Sequence, residues 1–159
     1  MPIVSPWKND FPIFSSQAHP DLCYLDSAAT CLTPKHVADA MYHYQCYSHA
    51  NSHKGLYTLS ANVTEKVEYA RCRIAEFINA KNQQSIVFTS GTTESLNLVA
   101  YSYIEPQLNA QSNIIISAAE HHANLLPWQR LCKQYGASLR VAPLDEEGLV
   151  DFAKLVALV

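Results

Sequence analysis

Glycine is scarce in this sequence: four residues in 159, with two methionines and two tryptophans. Turns that require glycine are therefore few, and each one draws notice. Long apolar runs are missing as well. None reaches the roughly 18 residues a membrane-spanning helix needs, and the opening stretch Met1–Lys8 has neither a signal-peptide core nor an Arg-rich transit character. Positive charge is not in excess. A net charge of −3 and a pI near 6.1 remove the electrostatic case for a nucleic-acid partner or an anionic membrane. No C-x-x-C pair occurs among Cys23, Cys31, Cys46, Cys72 and Cys132. An odd set without that spacing argues against a disulfide frame or a structural zinc site, and for reduced thiols in a cytoplasmic protein. Internal repeats and low-complexity segments are also lacking. What remains is an ordinary globular composition, 48% hydrophobic and 16% charged, long enough for one domain with a core.

The most informative stretch runs from Ser85 to Ala100. Ser85–Thr89 has the length and β-branching of a buried strand, and Gly91 then turns the chain into a helix whose apolar face is Leu96, Val99, Ala100 and Tyr103. The free N–H groups of a first helical turn, beside the hydroxyls of Thr92 and Thr93, make a seat for an anion such as phosphate. The same residues also read as a strand–helix corner whose threonines only cap the helix. Residues alone leave both readings open.

Elsewhere the order is regular. Cys23–Thr30 reads as an extended piece ending in a turn of small residues. Thr33-Pro34 reads as N-cap and first residue of a helix burying Val37, Ala40, Met41 and Tyr44. After a His-rich connection through residues 48–55, a long helix places Leu59, Val63, Val67, Ala70, Ile74, Phe77 and Ile78 on one stripe. Asn113–Ser117 is a strand, Asn124 opens a helix carrying Trp128, Leu131, Cys132 and Tyr135, and Gly136 stands where a helix-terminating glycine belongs. Ser138–Ala142 is a further strand, and Phe152, Leu155, Val156 and Val159 share a helical face. Alternating apolar strands and helices indicate an α/β fold with a parallel sheet. The final apolar stripe reaches the last residue without a cap, which reads as a domain cut short.

Ala119–Asn124 follows a strand directly. Ligands of open parallel sheets gather at the carboxyl ends of strands, so His121 and His122 are expected on the same rim as Thr92 and Thr93. An imidazole there could stack on a flat ring or move a proton. It could also simply cap the helix while its neighbour is solvated. Adjacent histidines without a completing carboxylate or cysteine do not form a metal set.

Five stretches together resemble the class V aminotransferase family, in particular its group II (SufS/CsdA-type) cysteine desulfurases. They are Asp10-Phe11-Pro12, Tyr24–Ala29, His53-Lys54-Gly55, Phe88–Glu94 with Asn97, and Glu120–Asn124 with Pro127-Trp128. The resemblance runs from about Phe11 to Leu144. The Glu-His-His-Ala-Asn run followed by Pro-Trp is its narrowest part and separates group II from group I. Its implied fold is the large domain of PLP-dependent transferases (fold type I, aspartate-aminotransferase-like), here truncated. Residues 1–22 would be an N-terminal arm, and 23–159 an incomplete N-terminal part of the PLP-binding large domain.

The implied cofactor is pyridoxal 5′-phosphate. By resemblance, Gly91, Thr92 and Thr93 bind its phosphate, and His121 stacks on its ring and takes part in proton transfer. His53 lies on the substrate side, and Ala28 and Ala29 lie near the substrate carboxylate. The implied reaction converts L-cysteine to L-alanine, with the cofactor as electron sink and the sulfur carried as an enzyme persulfide. A homodimer and a sulfur-acceptor protein are the implied partners. Ser90 stands where group II members usually carry Arg, and Lys54 replaces an Arg, losing its planar fork. The family's Schiff-base lysine, its Asp for the ring nitrogen, its nucleophilic cysteine and its substrate arginine are expected beyond Val159. Lys54 precedes the phosphate turn and so is not the Schiff-base residue. Cys46 and Cys132, inside expected helices, read as buried structural thiols. In the family's sheet order, 3-2-4-5-6-7-1, the Ser85–Thr89 strand lies far from Asn113–Ser117. Unpaired edges, an uncovered helix face and self-association are therefore expected of the chain alone. Alternatives of the same family are a selenocysteine lyase, an epimerase-like member or a kynureninase. A non-catalytic truncated product is the alternative outside it.

Overall fold

A computed structural model describes residues 5–159. The chain forms two compact units, Met1–Ile86 and Val87–Val159.

The first unit is helical. After two short 3-10 turns at Lys8–Asp10 and Pro12–Ser15, helix α1 spans Lys35–His43 and continues into a π turn at Tyr44–Ser48. Pro34 is its N-cap, one residue later than the Thr33 cap expected. Pro34 supplies the first carbonyl, accepting from the N–H groups of Val37 and Ala38. None of α1 is buried. Val37 and Met41 are exposed at 39% and 61%, against the apolar face expected, and only Tyr44 is half-buried. Helix α2, Thr58–Phe77, covers Val63 and Val67 of its expected stripe but turns the rest of that stripe outward. Its covered stripe is Ser60, Val63, Thr64, Val67, Glu68, Arg71, Cys72 and Ala75, while Leu59, Ile74, Phe77 and Ile78 face solvent. The cause is what lies against the helix. Ser60 accepts from the Gly55 N–H (3.1 Å) and donates to the Asn51 carbonyl (2.6 Å), and Arg71 donates to the Ile86 carbonyl. Polar bonds to neighbouring chain choose the inner face. Cys46 is exposed rather than buried, because the π turn carrying it buries nothing.

The expected strand at Ser85–Thr89 is not one. Ser85 closes a 3-10 turn, Gln83–Ser85, and the residues after it join no ladder. An apolar β-branched run becomes a strand only where another strand shares a ladder with it, and the two strands among the described residues pair with each other.

The second unit opens with α3, Thr92–Val99, extended by a π turn at Ala100–Ile104 and a 3-10 turn at Glu105–Gln107. Strand β1 (Asn113–Ser117), helix α4 (Leu126–Tyr135), strand β2 (Ser138–Ala142) and the short helix α5 (Phe152–Val156) come next. The strands pair in parallel, Asn113 with Ser138 through Ser117 with Ala142. This is a β–α–β unit, with both strands and the Gly136 stop where the sequence places them. Gly136 adopts φ +70°, which glycine takes without a side-chain penalty. Leu131 and Ala100 are fully buried and pack with Ile116 and Trp128. That core lies under the carboxyl end of β1 and anchors the histidine-bearing turn between β1 and α4.

Candidate active site

Helix α3 begins at Gly91 with no side chain capping it. The earliest N–H groups of a helix have no acceptor within it and carry its positive end. Glu94 reaches back to the Ser90 N–H at 2.6 Å, and hydrogen bonds from Ser90 hold its carboxyl below the usual range. Thr89 and Ser95 share a hydroxyl contact of 2.7 Å. The turn is thus braced from behind, and Gly91, Thr92 and Thr93 stay exposed. Gly91 is extended (φ 160°, ψ 178°), a backbone any residue adopts, and a Cβ built on it would meet nothing within 4 Å. Nothing in the fold demands this glycine. Its missing side chain leaves the approach to the helix end open, which fits a phosphate-bearing ligand.

The second half of the site lies just beyond β1. Glu120 accepts from the Ser117 hydroxyl (2.8 Å) and the Asn124 amide (2.7 Å), and Asn124 accepts from the Trp128 indole N–H (2.9 Å). Those bonds hold the Glu120 carboxyl low, the Asn124 bond contributing most. The chain is thereby tied from β1 to the buried Trp128, and the histidines lie between these ties. His121 caps the 3-10 turn His122–Asn124 through Nδ1, accepting from the Ala123 N–H at 3.2 Å. A neutral ring bonded this way carries its proton on Nε2. His122 stands edge-on to it, ring centroids 5.9 Å apart.

Thr93 and His121 wall one cavity of about 470 Å³. Asn97, Tyr101, His122, Ala123, Leu126, Pro127 and Arg130 complete the lining. Asn97 is anchored to the Thr93 carbonyl at 2.8 Å, and the Arg130 guanidinium lies 5.8 Å from the Tyr101 ring centre. No carboxylate is among these lining residues, so the wall suits an anionic, flat ligand.

The other residues singled out in the sequence lie in the first unit. His53 has φ +63°, and its Nε2 is 3.5 Å from Glu68. Ala28 and Ala29 are exposed in a turn whose Asp26 carbonyl accepts from the N–H groups of Ala29 and Thr30 at 3.1 Å. Among the described residues, no group of three His, Cys, Asp or Glu could hold a metal ion, and no helix is long and apolar enough to cross a membrane.

Residues 23–159 match the family described as Aminotransferase class-V. The chain belongs to the class-V aminotransferase family. Within that family it is 44% identical over 152 residues to a cysteine desulfurase of Cronobacter sakazakii, covering 95% of this chain and 37% of that protein. It is 46% identical over 151 residues to a probable cysteine desulfurase of Pseudomonas aeruginosa, with the same two coverages. The apo cysteine desulfurase of Thermococcus onnurineus NA1 superposes with a TM-score of 0.84 at 38% identity, over 97% of this chain and 37% of that one. The chain therefore spans little more than a third of the curated relatives it matches. Its α/β architecture is a partial piece of PLP fold type I.

Glu120, Asn124 and Trp128 stood in the motif that carried the resemblance, with Asn124 read as a helix start and Trp128 as core, but the hydrogen-bonded link between them was not read from the sequence. Its signal was weak, because only Trp128 lies on α4, while Glu120 precedes the 3-10 turn that Asn124 ends. Arg130 gave none, because an arginine on a helix reads as solvated.

Proposed function

We propose that this chain is the N-terminal part of a pyridoxal-phosphate-dependent cysteine desulfurase, converting L-cysteine to L-alanine and delivering sulfur through an enzyme persulfide. The observation that carries the reading is the shared cavity of Thr93 and His121. Thr92, Thr93 and the N–H groups at the start of α3 bind the cofactor phosphate, with Gly91 leaving the approach open. His121 lies against the ring, its face fixed by the Ala123 bond, and its Nε2 proton is the one available for transfer. Bound pyridoxal phosphate supplies an electron sink for the substrate carbon. His53, Ala28 and Ala29 serve the substrate side. The tethering lysine and the sulfur-accepting cysteine have no match among residues 1–159, so this chain by itself binds without turnover. A cytoplasmic homodimer passing sulfur to an acceptor protein is the working assembly.

Titrating the isotope-labelled chain with pyridoxine 5′-phosphate and with pyridoxine tests the reading. The expected result is amide shifts at Thr92–Ser95 only with the phosphorylated ligand, and His121 ring shifts with both. Shifts that avoid both segments would refute it.

A further inference from the structure

His53 and Asn79 are the two non-glycine residues with positive φ among the described residues. Asn79 follows the end of α2, where helices commonly close in the left-handed region. His53 has no such excuse. It lies in the connection before α2, and a residue held in that region persists only when its surroundings over-determine it.

The surroundings do so here. Thr64 accepts from the His53 N–H at 2.8 Å and donates to the Ser60 carbonyl at 2.8 Å. Ser60, 1% exposed, takes the Asn51 carbonyl on one side of His53 and the Gly55 N–H on the other, at 2.6 and 3.1 Å. Gly55 is pressed so close that a Cβ there would lie 2.6 Å from Ser60 and Tyr57. The segment is therefore clamped before, at and after His53 by two hydroxyls one helical turn apart. One turn further along the same stripe, Glu68 meets the imidazole, and Arg71 lies 3.3 Å from Glu68.

We propose that Ser60 and Thr64 are positioning residues, a hydroxyl clasp that holds His53 in its left-handed conformation and so presents its imidazole to the substrate. The substrate half of this statement rests on the function proposed above; the clasp itself does not. A hydroxyl acceptor at position 64 is required, and a methyl of the same shape cannot replace it.

In the 159-residue chain, Thr64→Val is expected to abolish the positive-φ carbon-shift signature of His53, and Thr64→Ser to retain it. A Thr64→Val chain that keeps the signature overturns the clasp. His53→Gly gives a check that does not rely on Thr64→Val: glycine takes this φ without a side-chain penalty, so the position-53 N–H should stay protected from hydrogen exchange by its bond to Thr64, and an N–H there that exchanges as fast as in an unfolded chain overturns the proposal. In the holoenzyme, Thr64→Val should lower kcat/KM for L-cysteine about tenfold, since small misplacements of a reacting group are costly. In a His53→Ala background the same change should cost less than about twofold, because a residue acting through another shows no separate loss. A repeated tenfold loss overturns positioning. A holoenzyme inactive on L-cysteine defeats the functional reading instead, and the His53 spectra still decide the clasp.

Discussion

Replacing Asn124 with alanine cuts the one side chain that links Glu120 to Trp128. Two bonds disappear, 2.7 Å to the carboxylate and 2.9 Å from the indole N–H. A bond to a charged group contributes roughly 1.5–3 kcal/mol and a neutral one roughly 0.5–1.5. Trp128 is only 9% exposed, so its N–H would be left without water or partner, while the Glu120 carboxylate is better able to rehydrate. The expected loss is about 2–4 kcal/mol from the second unit. Urea unfolding followed by tryptophan emission reads this directly. Trp7 is already 68% exposed, so the change in emission belongs to Trp128, and a Trp7→Phe background removes the remainder. The acid limb gives an independent check. A carboxyl whose folded pKa is depressed binds fewer protons folded than unfolded, so its stabilisation is present above the unfolded value and lost as pH falls through the folded one. Glu120 is of this kind, held low chiefly by Asn124. Asn124→Ala should therefore flatten the loss of stability below the usual carboxylate range. Asn124→Asp keeps an acceptor for the indole but sets a second carboxylate against Glu120, so it should be weaker at neutral pH than in acid. A loss under about 0.5 kcal/mol in Asn124→Ala, with an unchanged acid limb, would refute the network's structural role.

Gly91→Ala should leave stability within about 1 kcal/mol, while weakening binding of pyridoxine 5′-phosphate in a fluorescence titration. Leu131→Ala, at a fully buried position, should cost about 2–5 kcal/mol in a urea melt. Gly55→Ala should cost about 1–3 kcal/mol, since its new methyl must displace Ser60 or Tyr57; a neutral result would show that the loop yields there.

Much of the second unit was legible from sequence. Asn113–Ser117 and Ser138–Ala142 are short apolar runs bounded by polar residues and a glycine stop, and both strands form at those residues. The helix between them buries Trp128, Leu131 and Cys132 as its periodicity requires. The first unit was less legible. Its helices form, yet α2 turns its apolar Phe77 outward, 90% exposed, and its serine and threonine inward. Hydrophobic pattern locates a helix well, but hydrogen bonds to a neighbouring loop can decide which face is covered.

The sequence by itself determined where this chain turns, which segments are helical, and that a glycine-led helix start and a histidine-bearing turn each end a strand-like run. These are local matters of backbone preference and apolar spacing. Only the tertiary structure decided that Ser85–Thr89 joins no ladder among the described residues, that Asn124 bridges Glu120 to a buried indole, and that Thr93 and His121, expected on one rim, wall one cavity. Each depends on groups brought together by packing, and spacing along a chain does not encode distance across it.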